Sequence, residues 1–256
     1  MIGRVLTIAW NTAREAVRSK LLYTLLFFAL VLIFASFVLA GISYVERDRI
    51  LQDIGLASIR FFAIAISIFV GVGLIHKEVD RRTVYTILSK PLSRGEFLIG
   101  KYVGLVATLW LQAAIMVAAF AAVSLLRGAP LGAGHAAAFA LLAVELAVVV
   151  AVATLFSAFT TPLLATLFAG GVWVLGNLTR HLRDLGADSD FGLVREVTAL
   201  LHGVLPDLAS FNLSLEAVHG LPVTASDVCL PAVYGVAYAT LVLLCAVVIF
   251  ERRDFK

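Results

Sequence analysis

The stretch Ala158-Phe-Thr-Thr-Pro162 decides how many times the chain crosses a membrane. It interrupts an apolar run that extends from Ala136 to Leu178. As one element the run would be a helix of more than forty residues. Pro162 disfavours helical backbone at Thr161, so the pattern predicts two spans, Ala136–Ala158 and Pro162–Leu178, joined by a tight turn. Outward from this turn lie four more runs of the right length: Leu21–Gly41, Ile54–Ile75, Tyr102–Leu126 and Leu230–Phe250. A span needs about 20 mostly apolar residues to cross a hydrocarbon core of about 30 Å. Arg60 lies six residues inside the outer end of the second span, where its side chain can snorkel outward. Six spans return both termini to one side.

Composition agrees. The 256 residues are 61% hydrophobic and only 14% charged, against roughly 45–50% and about 25% in soluble domains. That excludes a wetted globule, a disordered tail and a disulfide-stapled secreted domain. The two cysteines, Cys229 and Cys245, are sixteen residues apart in one apolar run. On a helix they would be about 24 Å apart, too far for a disulfide. A net charge of +3 does not suggest a nucleic-acid partner.

The apolar run beginning at Leu21 is not expected to be a cleaved signal, because it outlasts a signal's apolar region of about 7–15 residues. Ile2, Val5, Leu6, Ala9, Ala13, Ala16 and Val17 recur at helical spacing, opposite Arg4, Thr7, Asn11, Arg14 and Arg18. With Trp10 at the edge, this predicts an amphipathic helix at the membrane interface. Orientation follows from Lys and Arg placement. Thirteen of the twenty bases fall on the side of the termini. The other side holds seven bases against ten carboxylates. Both termini are therefore expected in the cytoplasm.

One cytoplasmic connection is longer than a turn requires. Residues 76–101, starting His76-Lys-Glu-Val-Asp80, should form a charged helix that stops at Ser89-Lys90-Pro91. Ser93 followed by Glu96 reads as a capping box that starts the third span. Within the segment, Gly95 to Lys101 matches GxxxxGK, but Tyr102 replaces the Ser or Thr that would hold magnesium. No strand precedes it and a span follows, so it should be helix rather than a phosphate cradle. The chain is expected to bring no ATP site, cofactor or metal site of its own.

Other chemistry is sparse. Glu145 is the one ionisable residue well inside a span, where charge costs about 2.5–3.5 kcal/mol on insertion scales. It reads either as a functional acid facing substrate or subunit, or as a protonated packing residue. The sequence shows no basic partner nearby, which is thin support for an ion-coupled pump. His76, His135, His181, His202 and His219 have no metal-pair spacing. His76-Lys-Glu78 lacks the P-C-x-x-C of a zinc deaminase. Hydrolase and zincin motifs are missing, and Arg180–Asp184 reads as a polar helix end. Gly100 and Gly104 form a G-x-x-x-G, weak evidence for a dimer face. In the outer segment 179–229, Leu193, Val197, Leu200, Leu201 and Val204 share one helical face that Pro206 ends, and a short helix should follow Asn212 through Val218.

These features together resemble the membrane subunit of ABC-2 type transporters. The carriers are Gly73-Leu-Ile-His-Lys-Glu78, Arg82-Thr83, Leu88-Ser-Lys-Pro91-Leu-Ser-Arg94 and Phe97-Leu-Ile-Gly-Lys101. Leu205–Asn212 and Phe250–Phe255 look closest to a single-module branch that includes the permease of the transporter for nitrous-oxide reductase maturation. Its copper-associated role does not carry over to a chain with two Met and no His cluster. The resemblance implies one all-α transmembrane domain over 1–256, with six transmembrane helices. An interfacial helix (1–20), a cytoplasmic coupling segment (76–101) and an extracytoplasmic helical segment (179–229) complete it. It further implies a bacterial inner-membrane location, two copies of the chain, and two copies of a separate cytoplasmic ATPase that binds the ATP and magnesium. Glu78, Arg81, Arg82, Thr83, Pro91 and Arg94 would contact that ATPase, with Thr160 and Thr161 as a second contact. Arg82 stands where many relatives carry a small Gly.

The expected function is that of a non-catalytic permease subunit coupling ATP hydrolysis to substrate export. Alternatives are mechanotransmission to an extracytoplasmic protein without substrate passage, an ion-coupled secondary transporter using Glu145, and a membrane-embedded hydrolase or transferase using His181 and Asp184.

Overall fold

The computed structural model describes residues 2–42, 46–80, 93–129, 131–187, 196, 198 and 203–252. Regular structure among them is entirely helical. We label the helices α1 (Ile2–Val17), α2 (Lys20–Ile42), α3 (Arg47–Asp80), α4 (Arg94–Arg127), α5 (Ala133–Phe159), α6 (Pro162–Ala187), α7 (Ser214–His219) and α8 (Ala225–Arg252), with a 3-10 turn at Leu208–Phe211. Six stretches among the described residues are long and apolar enough to cross a membrane: Lys20–Gly41, Arg47–Gly73, Gly95–Arg127, Ala133–Phe159, Pro162–Thr179 and Ala225–Arg252. The junction at Pro162 does divide two helices. Thr160 caps the first in extended conformation, and the second starts with proline at its first position, where the missing N–H costs nothing.

Helices α3 and α5 form the centre, with 67% and 61% of their membrane stretches buried, against 22–28% for those of α2, α6 and α8. Their shared core includes Ile59, Ile66, Leu141, Leu146 and Val150. Because lipid tails offer no hydrophobic drive between helices, packing and interhelical hydrogen bonds must hold the bundle. Two such bonds rivet α4 to α5. Tyr102 Oη donates to the Ala147 carbonyl at 3.1 Å and Trp110 Nε1 to that of Ala143 at 2.9 Å.

Both α3 and α4 have 34 residues, about 51 Å of helix, and overshoot a hydrocarbon core of about 30 Å. The overshoot of α3 lies beyond Gly73, at the end leading into residues 81–92. Helix α1 packs along α4. A Cβ on Gly100 would stand 2.8 Å from Ile8, and one on Gly104 would strike the Ala9 carbonyl. The G-x-x-x-G therefore receives a helix of the same chain, a use that the sequence reading did not anticipate.

Residues 203–219 fold back onto the bundle. Leu208 and Phe211 are buried, and Phe211 fills the space left by Gly235 on α8. The short helix expected after Asn212 is α7, whose start Asn212 fixes by accepting from Ser214 N at 3.2 Å and Ser214 Oγ at 2.7 Å. Leu193, Val197, Leu200 and Leu201 lie outside the described residues, and Val204, the last residue of the expected apolar face, is 65% exposed.

Candidate functional site

The start of α4, the α5–α6 turn and the end of α8 converge at the end of the bundle where α3 overshoots. Helix α4 opens with the expected capping box: Ser93 Oγ accepts from Glu96 N at 3.1 Å, and Glu96 Oε2 accepts from Ser93 N at 3.2 Å. One turn later Phe97 and Leu98 pack with Ala158 of α5 and with Ala246 and Phe250 of α8. Ala158 leads directly into the α5–α6 turn, where Thr160 Oγ1 donates to the Phe156 carbonyl at 2.9 Å and Thr161 is exposed. The start of α4, the turn with Thr160 and Thr161, and the last turns of α8 are thus one packed unit.

Of the sequence-predicted contact residues, Glu78 lies on the α3 extension and Arg94 is the first residue of α4. Arg81, Arg82, Thr83 and Pro91 lie outside the described residues. The GxxxxGK look-alike is helical. Lys101 is 2% exposed with its ammonium 5.3 Å from the Phe97 ring centre, and Gly100 is covered by Ile8. A phosphate cradle needs exposed N–H groups in a loop, and this stretch spends its backbone on a helix and its surface on packing.

The second constellation is buried, and it corrects two readings. Arg60 does not snorkel outward. Its guanidinium turns into the bundle and grips Glu145, Nε to Oε2 at 2.9 Å and Nη2 to Oε1 at 2.8 Å. Glu145, fully buried, therefore has the basic partner that the sequence did not show. Arg60 Nη2 also donates to Asn177 Oδ1 at 2.8 Å and, at 3.4 Å, to the Leu208 carbonyl. Trp173 Nε1 donates to Glu145 Oε1 at 3.2 Å. Asn177 Nδ2 bonds back to the Trp173 carbonyl one turn away, which aims its oxygen at the arginine. Two parallel charge-assisted bonds with further donors and acceptors are what a buried ion pair needs to offset its desolvation. Trp173 and Asn177 were not singled out from the sequence. Their spacing of four on an apolar helix was the available signal, together with the matched depths of Arg60 and Glu145, thirteen and twelve residues from the outer ends of α3 and α5.

A family model described as ABC-2 family transporter protein matches residues 6–255, nearly the whole chain. The chain belongs to the ABC-2 transporter family. No curated protein matches it. As an ABC-2 family chain with six apolar helices, it is a multi-pass membrane protein. The Arg60–Glu145 network lies toward the Arg47 end of α3 and the Ala133 end of α5, where it joins α3 to the Leu208–Phe211 turn.

Proposed function

We propose that this ABC-2 family chain is the membrane-spanning permease subunit of an ABC exporter. It acts as a pair of copies engaging two separate cytoplasmic ATPase subunits, which bind the ATP and magnesium and perform all the catalysis. Both termini would lie in the cytoplasm of a bacterium, at its inner membrane, as the thirteen-to-seven distribution of bases favours. One observation carries the reading: the start of α4, the turn after α5 and the end of α8 share the cluster of Phe97, Leu98, Ala158, Ala246 and Phe250. A force applied to segment 76–101 would therefore reach three spans at once and rock the bundle as a body. The single-module branch rests on the sequence resemblance of the Leu205–Asn212 and Phe250–Phe255 stretches.

The ion pair weighs against proton coupling through Glu145, because neutralising the acid would strand the Arg60 guanidinium inside the bundle. The test uses an ABC-type ATPase, which we expect a neighbouring gene to encode. Glu78→Lys and Arg82→Glu variants should lose co-purification and substrate-stimulated hydrolysis while keeping membrane insertion. Unchanged association and flux in liposomes would remove the coupling role. Stimulation by an outer protein without any flux would select mechanotransmission instead.

A further inference from the structure

Helix α1 packs on α4 through the buried Thr12 and leaves the flank toward α3 open, with Arg14 and Arg18 at an edge that also borders an apolar groove toward α4 lined by Trp10 and Val103. On the α3 flank a cavity of about 530 Å³ separates the last turns of α1 from the inner end of α3. Its α1 wall is polar, with Asn11, Arg14, Arg18 and Ser19. Its other wall is apolar, formed by Leu21 at the start of α2 and by Phe69 and Val70 of α3. The two walls agree in direction. Along the chain from Arg18 to Leu21 the lining changes from charged to apolar as the α2 span begins, and from Gly73 back to Phe69 it enters the α3 span. Polar groups thus face the water side and apolar groups the hydrocarbon side.

Charge selects the occupant. Arg14 and Arg18 are exposed, one helical turn apart, and among the described residues neither guanidinium pairs with a carboxylate. Arg14 instead lies 5.6 Å from the centre of the Trp10 ring, an aromatic residue of the type that settles at headgroup level. Glu15, the single acid in the cavity wall, already has an interaction of its own. Two cations over an apolar slot open to lipid match a phosphate with acyl chains below it. Leu21 and Phe69, 56% and 47% exposed, leave the path for those chains uncovered.

We propose that this cavity binds the headgroup of an anionic glycerophospholipid, with its phosphate on Arg14 and Arg18 and its glycerol and first methylenes on Leu21, Phe69 and Val70. The lipid fastens α1 to α3 at Gly73, the last residue of the α3 span before the coupling segment. The inference rests on the chain spanning a membrane and is independent of any ATPase.

The experiment needs only the full-length chain, purified and delipidated in detergent. Phosphatidylglycerol at saturation should raise the melting temperature by roughly 5 °C. Phosphatidylcholine and soluble glycerol phosphate should not. Arg14→Gln with Arg18→Gln should weaken phosphatidylglycerol binding by roughly 25-fold, about fivefold for each charge near the surface, while the lysine pair keeps most of it. Equal stabilisation by phosphatidylcholine, or an undiminished shift in the glutamine pair, overturns the proposal. A full shift with glycerol phosphate alone would make this a soluble-phosphate site and overturn it too. If the glutamine pair cannot be recovered, Phe69→Trp decides. Its added fluorescence should be quenched by brominated phosphatidylglycerol in preference to brominated phosphatidylcholine, and equal quenching rejects the site.

Discussion

Arg60 and Glu145, 85 residues apart in sequence, meet through two parallel hydrogen bonds of 2.9 and 2.8 Å between α3 and α5. Each side chain alone would be an expensive guest inside the bundle, and together they are the main polar joint of its centre. The cost of burial makes the pair sensitive to losing one member and tolerant of losing both.

Replacing Arg60 with Met, or Glu145 with Leu, should each destabilise the protein by about 3–5 kcal/mol, because the surviving partner is left charged and buried. The double replacement should recover most of that loss. Unfolding of the four proteins in detergent gives the coupling energy, and strictly additive losses would falsify a direct pair. Arg60→Lys should fall between, since an ammonium cannot make the paired bonds and reach Asn177 as well.

Trp173→Phe removes one donor from Glu145 and keeps an aromatic ring there, though a smaller one. A loss of about 1.5–3 kcal/mol is expected for a bond to a charged group. Trp173→Phe placed on the Arg60 and Glu145 double variant should cost much less, and an equal cost in both backgrounds would mean that the indole N–H is not bound to the acid.

Gly104→Leu should displace α1 from α4, because any Cβ there meets the Ala9 carbonyl, which cannot swing aside. Overpacking of this kind costs about 1–3 kcal/mol. Cysteine labelling at the buried position Thr12 should become fast in this variant and stay slow in the parent.

Ser93→Ala breaks one half of the capping box at the start of α4 and should cost about 1 kcal/mol locally. Amide exchange at Glu96 should accelerate while the core amides of α5 stay protected. If α5 accelerates equally, the cap serves the whole bundle and not the first turn of α4.

Phe211→Ala should cost about 3–5 kcal/mol, as for other buried aromatic rings, and release the outer segment from Gly235. Protease sensitivity within residues 204–221 reports the release; unchanged sensitivity would mean that Leu208 alone holds the segment down.

The spans were legible because a bilayer imposes length and apolarity on each of them, and Pro162 supplied the break between the fourth and fifth. The cap at Ser93 and the start of α7 after Asn212 were legible for a similar reason, since each depends on side chains a few residues apart. The Arg60–Glu145 pair was not, because its geometry comes from the register of α3 against α5, which no local pattern encodes. Arg60 taken alone looked like a residue reaching for water, since a long side chain near a span end has that option when no partner is visible. The partner of the G-x-x-x-G was hidden likewise: small residues announce close approach without naming what approaches. The proposed coupling roles of Glu78, Arg82 and Arg94 rest on family resemblance, since a contact with another protein leaves no pattern that the packing of this chain alone could display.

The Arg60 guanidinium touches α5 through Glu145, α6 through Asn177 and the outer segment through the Leu208 carbonyl, from its own place on α3. Four stretches of chain are thereby pinned at a single point. Sliding any one of them past the others would tear charged groups from their partners in a place where water cannot replace them. Any motion that keeps these bonds must carry the four together at that point.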